Sequence, residues 1–190
     1  MRTRKEDKRS ALLRSALELF AEQGFNRPST ALIAKRAGVA SGTLFFHFKR
    51  KEDLIHELYQ EVLRKIENRF QKDSLECMPL KERLLGILAN IVRYFLDHPA
   101  EFLFVEQYHF SPFNNQGGSL PEENQTQTVR SLLLQAREEK VVRNLPLLCL
   151  EAVAFGPIVS LIKEHTFRGT RVDENLIRLT VEASWNGLRS

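Results

Sequence analysis

Short polar side chains and cations are concentrated between residues 41 and 51 of the 190-residue chain. The hydroxyls of Ser41 and Thr43 can hydrogen-bond base edges or phosphate oxygens, and Gly42 between them lets the backbone come close. The run ends on three consecutive cations at positions 49–51, and lysine and arginine are the residues that neutralise phosphates. These residue types at this spacing indicate contacts to nucleic acid rather than a reactive centre.

Two short helices joined by a tight turn are expected to position these side chains. A short helical pattern that includes Leu32 and Ile33 stops at Gly38, and glycine takes the left-handed conformation of a helix end without penalty. A second short helix begins near Ser41. Two such helices form a helix-turn-helix, whose second helix can enter the major groove of DNA.

The charge distribution agrees with this interpretation. Residues 1–51 contain 12 Lys and Arg against 4 Asp and Glu, a net charge of +8, whereas residues 52–190 contain 16 against 20, a net charge of −4. The first quarter of the chain therefore has the electrostatic pattern of a nucleic-acid binder. An architectural DNA-binding protein is disfavoured, because it would need basic charge throughout.

Several other classes of protein are excluded by missing motifs. The two cysteines, Cys77 and Cys149, have no zinc-ligand spacing and are expected to be reduced thiols. No phosphate-binding glycine loop, nucleophile elbow or metal-ligand cluster is found, so we expect neither an enzyme nor a cofactor. The N-terminus lacks the hydrophobic core of a signal peptide, and the apolar stretch 145–162 is interrupted by Pro146, Glu151 and Pro157. The sequence therefore predicts a cytoplasmic protein.

Helical periodicity dominates the whole chain, and no convincing strand alternation is found. The pattern predicts an all-α protein with a basic three-helix head and a body of about six helices. Beyond the short pair, we expect helices over residues 6–23, 51–71, 80–96, 100–110, 122–142, a segment with Pro146 in its first turn, and 173–187. Residues 111–121 are a loop by composition.

Residues 9–56 closely resemble the TetR family of bacterial transcriptional regulators. The matching positions are Gly24-Phe25, Thr30, Ile33-Ala34, Ala37-Gly38-Val39, Ser41-Gly42-Thr43-Leu44, His47-Phe48 and Lys51-Glu52-Asp53-Leu54. The resemblance implies a helix-turn-helix DNA-binding domain at residues 1–50 and a helical ligand-binding and dimerisation domain at residues 51–190. It also implies a homodimer whose heads occupy successive major grooves of a double-stranded DNA operator, and which a small-molecule effector releases.

The resemblance assigns phosphate contacts to Thr30 and Lys51, although Thr30 is equally suited to capping its helix. Two departures from the family are evident. Phe45 and Phe46 stand where tyrosines are usual, and Arg50 stands where a capping Ser or Thr is common. Since a cation opposes the helix dipole there, we expect Lys49, Arg50 and Lys51 to form a phosphate clamp. The predicted DNA-binding residues are Thr30, Ser41, Gly42, Thr43, Phe45, Phe46, His47, Lys49, Arg50 and Lys51, whereas Leu44 and Phe48 are expected in the core.

Aromatic residues of the body suggest a pocket for a small, largely apolar ligand. Glu106 and His109 lie three residues apart on one helical face, and they offer either polar contacts in such a pocket or a structural hydrogen bond. They supply too few ligands for a metal site. The predicted ligand-binding residues are Arg93, Tyr94, Phe102, Glu106, Tyr108, His109 and Phe155.

The helices at 145–166 and 173–188 are the predicted homodimer interface, and an isologous interface would match a palindromic operator. Trp185 and its stripe are placed to face either the pocket or the partner subunit. The sequence favours a homodimeric repressor. A ligand-dependent activator, or a regulator controlled by a protein partner, is the alternative.

Overall fold

The computed structural model describes residues 4–70, 78–113 and 126–190. In these residues the chain forms nine α-helices and no strand beyond one isolated bridge between Val142 and Arg189. The helices are α1 (Arg4–Gln23), α2 (Thr30–Arg36), α3 (Ser41–His47), α4 (Lys51–Phe70), α5 (Leu80–Asp97), α6 (Pro99–His109), α7 (Thr126–Glu138), α8 (Leu147–Arg168) and α9 (Glu174–Leu188). The predicted all-α class, with an N-terminal helix-turn-helix and a helical C-terminal part, is confirmed.

Two predicted helix ends need correction. The helix expected to reach residue 142 ends at Glu138, because Lys140 takes a left-handed φ of 58° that a helix cannot continue through. Pro146 is the N-cap of α8 rather than a residue of its first turn. Cys77, residues 122–125 of the predicted helix and most of the predicted loop at 111–121 lie outside the described residues.

The described residues divide into two compact units. The first unit comprises those of residues 1–63 and 99–120, and the second comprises those of residues 64–98 and 121–190. The boundary that we predicted after residue 50 falls inside the first unit. As a boundary between functional domains it remains a prediction.

The first unit has a core built around phenylalanine rings. Phe20 of α1 and Phe25 meet edge to face at 5.3 Å, and both contact Phe104 of α6, at 6.3 Å and 5.5 Å between ring centroids. Phe20 and Phe104 are fully buried. Aromatic pairs in these geometries add to the free energy gained by burial alone. Helix α6 is therefore packed into the core of the same unit as the helix-turn-helix, although the whole of α5 separates α4 from α6 in the sequence.

The second unit packs α5, α7, α8 and α9 around aliphatic residues. In α9 the buried face consists of Ile177, Val181, Ser184, Trp185 and Leu188. Trp185 is only 8% exposed, and the Lys81 amine lies 5.7 Å from its ring centroid. The Trp185 stripe is thus buried within its own unit, which corrects the expectation that it faces a partner subunit. Among the described helices, none is long and apolar enough to cross a bilayer.

Candidate nucleic-acid interface

Helix α2 has a defined beginning and a defined end. Its N-cap is Ser29, whose hydroxyl accepts a hydrogen bond from the Leu32 N–H at 3.1 Å. Its end carries Gly38 at φ 67°, with the Val39 N–H donating to the Ala34 carbonyl at 3.0 Å and the Gly38 N–H donating to the Lys35 carbonyl at 3.1 Å. These two bonds define a Schellman motif, which fixes the direction of the turn that leads into α3. Thr30 is the first helical residue, so the expected capping role belongs to Ser29 instead.

Helix α3 presents its polar and aromatic residues outward. Leu44 and Phe48 are buried as expected, at 0% and 1% exposure, and they anchor the helix to the unit. Ser41 and Gly42 are exposed, and Thr43 and His47 are half-buried. Phe45 is 52% exposed and Phe46 is 70% exposed, which is unusual for phenylalanine. The residues predicted to read DNA on this helix therefore lie together at the surface of one short element.

The beginning of α4 is held by Asp53. Its carboxylate accepts from the Arg50 backbone N–H at 3.0 Å and from the Arg50 guanidinium at 3.1 Å. Arg50 cannot cap the helix with its own side chain, but Asp53 three residues later supplies the acceptor, as in the second half of a capping box. Sequence reasoning missed Asp53, and an acidic residue three positions after the N-cap was the signal available. The Arg50 side chain remains 73% exposed.

Lys51 lies over an aromatic ring of the core. Its amine is 5.8 Å from the centroid of Phe20, within the range of a cation–π contact. Partial burial lowers the pKa of Lys51. The amine is thereby held in place at the first residue of α4, whereas Lys49 is exposed.

Two other cations of the head are held by carboxylates. Arg36 donates both terminal nitrogens to Glu22 at 3.0 and 3.1 Å, and its Nε lies 3.2 Å from Glu18. Hydrogen bonding to Arg36 lowers the pKa of Glu22. Arg9 pairs with Glu57 and lies over the Phe48 ring. These pairs join α1 to α2 and α4, so a structural role accounts for Arg36 and Arg9.

Four of the predicted ligand-binding residues belong to α6 in the first unit. Phe102 and Tyr108 are buried, Glu106 is half-buried and His109 is exposed. The Tyr108 hydroxyl lies 3.1 Å from His56 Nδ1, and its ring stacks on Tyr59 at 3.9 Å. His109 meets the Tyr59 ring edge-on at 6.0 Å.

A cavity of about 450 Å³ opens beside α6 in the first unit. Of the predicted ligand residues, Glu106 lines this cavity, whereas Phe102, Tyr108 and His109 do not. The lining residues are Phe25, Asn26, Glu106, Gln107, Phe110, Ser111, Pro112 and Phe113. Three phenylalanines with a few polar groups are a composition typical of small-molecule sites.

The other three predicted ligand residues belong to the second unit. Arg93 of α5 donates to both oxygens of Glu174, the shortest bond being 2.7 Å, and to Asn90 at 2.9 Å. Tyr94 is buried and its ring stacks on His98 at 4.4 Å. Phe155 is half-buried in α8. The Arg93 guanidinium therefore joins α5 to α9, a role that sequence reasoning missed.

No cluster of three or more His, Cys, Asp or Glu side chains that could hold a metal ion is found in the part of the chain that the structure describes. The residues predicted to contact DNA lie on and around one short exposed helix, α3, which a turn precedes and three cations follow. Helix, turn and exposed second helix define a DNA-binding regulator of the helix-turn-helix class.

Comparison with known families gives the same result. Residues 12–58 match the model for bacterial regulatory proteins of the tetR family, and residues 79–189 match the model for tetracyclin repressor-like C-terminal domains. The second match alone covers more than half of the chain, and the chain belongs to the TetR family of transcriptional regulators. The members of this family and the relatives that match are transcriptional regulators.

Individual relatives are similar over different spans. The chain is 34% identical to a fatty acid metabolism regulator protein of Bacillus subtilis over 86 residues, which are 45% of this chain and 44% of that protein. A TetR family transcription regulator from Marinobacter aquaeolei VT8 has the same fold, with a TM-score of 0.87 at 23% identity over 100% of this chain and 99% of that one. A TetR-family regulator from Haemophilus influenzae RD superposes with a TM-score of 0.79 at 21% identity, over 100% of both chains. The chain spans about half the length of the curated relatives it matches.

Proposed function

We propose that the protein is a homodimeric repressor that binds a palindromic DNA operator and is released by a small, largely apolar ligand. The observation that carries the proposal is α3, which exposes Ser41, Gly42 and two phenylalanines while Leu44 anchors it. The N-terminal part of a recognition helix contacts base edges in the major groove.

Contacts to the phosphates are assigned to residues around α3. Thr30 begins α2, and Lys49, Arg50 and Lys51 lie where α4 begins. Exposure of Lys49 and Arg50, and the fixed position of Lys51 over Phe20, support the phosphate clamp. His47, half-buried at the end of α3, is also assigned a contact to the DNA backbone.

An uncharged surface on α8 supports dimerisation through the helices at 145–166 and 173–188. Exposed faces of surface helices ordinarily carry charged residues. Six of the seven exposed residues of α8 are instead uncharged: Leu148, Cys149, Ala152, Gly156, Ser160 and Phe167. Helix α9 adds exposed Leu176, Leu179 and Ala183. Apolar surface of this kind marks a protein–protein interface.

The nature of the ligand rests on more indirect support. The cavity beside α6 is of a size that suits small molecules, and aromatic rings form much of its wall. A relative is named as a regulator of fatty acid metabolism, which agrees with a largely apolar effector. Of the predicted contacts, Glu106 lines this cavity, and we propose it as a ligand contact. The other six, which stay predictions from the sequence, are Arg93, Tyr94, Phe102, Tyr108, His109 and Phe155.

Selection of bound duplexes from a random DNA pool, at near-physiological salt, tests the proposal. We expect a palindrome whose half-sites are about one helical turn, roughly 34–36 Å, apart. Recovery of no motif, with binding that disappears at moderate salt, would mean that only phosphate attraction operates. A reporter gene behind the recovered operator then separates repression from activation, since the protein must lower transcription.

Two variants test the clamp and the dimer. Arg50→Ala should reduce the salt dependence of binding by about 0.9 in the log–log slope for each phosphate that is no longer neutralised, and Arg130→Ala, an exposed arginine of α7, is the matched control. An unchanged slope with Arg50→Ala would contradict the proposed phosphate clamp. For the dimer, Ala152→Arg should yield monomers in sedimentation equilibrium. Asn144→Arg, which changes an exposed residue of a loop, should leave the dimer intact.

A further inference from the structure

We propose that Phe46 reads the 5-methyl group of a thymine in the major groove of the operator. The proposal rests on the proposed function, because it requires α3 to lie in the groove. It assigns to this chain a base preference that its polar α3 residues do not supply.

The position of Phe46 on α3 points its ring away from the protein. Successive residues of an α-helix are about 100° apart, so position 46 is roughly opposite position 44. Leu44 is 0% exposed and Phe46 is 70% exposed, in agreement with this geometry. Of the two exposed rings on α3, that of Phe46 is therefore the more exposed, and it faces away from the core, towards a groove that receives the helix.

Gly42 leaves room for the ring. Side chains on a helix lean towards its N-terminus, which for Phe46 is the direction of residue 42, four positions earlier. Gly42 has no side chain, and a Cβ built there would meet nothing within 4 Å. On its other side the Phe46 ring meets the His47 ring edge-on at 5.3 Å between centroids. The His47 ring thus supports the Phe46 ring on one flank, and residue 42 contributes no side chain towards it.

The chemistry of the ring selects its partner. Phenylalanine has no hydrogen-bond donor or acceptor, so it gains nothing from the polar edges of guanine, cytosine or adenine. In the major groove the thymine methyl is the apolar group that a base pair presents. The surroundings favour DNA as the occupant, because residues 1–51 carry a net charge of +8 and Lys49 and Arg50 are exposed nearby. Phosphate contacts would hold the ring against the bases.

Deoxyuridine substitution isolates the methyl group. In the operator recovered by selection, each thymine is replaced in turn by deoxyuridine, symmetrically in both half-sites, and affinity is measured at constant salt. Since a buried methyl group contributes about 0.8 kcal/mol, we expect about a 4-fold loss per half-site and about a 15-fold loss for the dimer at one position. At that position, 5-methylcytosine should bind more tightly than cytosine by a similar factor.

Variants of the protein attribute the effect to Phe46. Phe46→Ala should weaken binding and bring the ratio of thymine to deoxyuridine affinity at that position close to one. Phe46→Leu should keep part of the ratio. Phe45→Ala is the matched comparison, because this neighbouring ring is 52% exposed on the flank of the helix, and its loss should leave the ratio unchanged. Because Phe46 is exposed, its truncation leaves no cavity, and circular dichroism with a melting curve checks that each variant is folded.

The outcomes distinguish the inference from the function on which it rests. A palindrome without any position sensitive to deoxyuridine, or a ratio that survives Phe46→Ala, overturns the inference and leaves the repressor intact. A Phe45→Ala variant that alone abolishes the ratio would transfer the role to Phe45. Failure to recover any motif would overturn both.

Discussion

The hydroxyl of Tyr108 in α6 lies 3.1 Å from Nδ1 of His56 in α4. The Tyr108 ring is fully buried and stacks on Tyr59, with 10° between the ring planes. One residue thus joins α6 to α4 twice, by a hydrogen bond and by a stacked ring. Helix α4 also carries Lys51 at its first residue, so α6 is connected to the element proposed to contact phosphates.

Removal of the Tyr108 hydroxyl should cost stability without disturbing the stack. We expect Tyr108→Phe to lower the free energy of unfolding by about 0.5–1.5 kcal/mol, the usual net value of one hydrogen bond, with more if His56 is left unsatisfied. Chemical denaturation measures the change. A double-mutant cycle with His56→Ala should give a coupling energy of similar size, and additive effects would show that the hydrogen bond contributes nothing.

Alkaline pH should unfold the protein partly through Tyr59. Burial raises the pKa of Tyr59 to about 12, whereas a tyrosine in the unfolded chain titrates near 10. Below pH 10 both states keep the proton, so this residue adds no pH dependence. Between about pH 10 and 12 only the unfolded chain loses the proton, so folding stability falls as the pH rises, by about 2–3 kcal/mol in total. Denaturation at pH 9, 10 and 11 should show a shallower decline for Tyr59→Phe than for the wild type. Parallel curves would contradict the assignment.

Lys140 should be replaceable by glycine with a gain in stability. It ends α7 at φ 58°, with the Val141 N–H donating to the Ala136 carbonyl at 2.8 Å in a Schellman motif. A side chain in this conformation costs roughly 1–2 kcal/mol of strain. Glycine avoids that strain, but part of the gain is lost because glycine gives the unfolded chain more conformational freedom. We expect Lys140→Gly to stabilise the protein by about 0.5–1 kcal/mol in thermal denaturation. Gly169→Ala, at φ 67°, should destabilise by a comparable amount.

Gly187 is required where α8 and α9 pack together. A Cβ at this position would lie 2.7 Å from Cγ1 of Val153, closer than real Cβ contacts. Gly187→Ala should therefore cost about 1–3 kcal/mol, although alanine is the better helix former. If the contact is responsible, Val153→Ala in the same chain should make the cost smaller than the sum of the two single changes. Strict additivity would place the cause elsewhere.

The helix ends that sequence analysis located correctly are those encoded by one local residue. Gly24 and Gly38 take left-handed φ values where α1 and α2 end, and Asp173 caps α9 by accepting from the Leu176 N–H at 2.9 Å. Where two neighbours are equally suited, as Ser29 and Thr30 are, composition does not select between them. The end of α7 at Lys140 was missed because a lysine carries no signal for a left-handed conformation.

Contacts between residues that are far apart in the sequence were the main feature that sequence analysis did not predict. The aromatic residues of the body suggested a pocket, but a sequence pattern shows only which face of a helix is apolar and not what that face packs against. In the structure Phe104 is a core residue of the first unit and packs beside Phe20 and Phe25. A hydrophobicity pattern alone predicts that phenylalanines such as Phe45 and Phe46 are buried. Their surface position, at 52% and 70% exposure, was expected only because both positions match DNA-contacting positions of the resembled family.

The union of residues 1–63 with α6 in one compact unit has a consequence for protein engineering. A chimera that grafts only residues 1–50 onto another regulator's body would leave Phe20 and Phe25 without the Phe104 ring against which they pack. The designer of a new biosensor would have to transplant two separate stretches of sequence, or redesign the recipient's α6 to supply an aromatic side chain at the same place. The part of this protein that can be exchanged is therefore determined by which rings pack together and is not one continuous stretch of sequence.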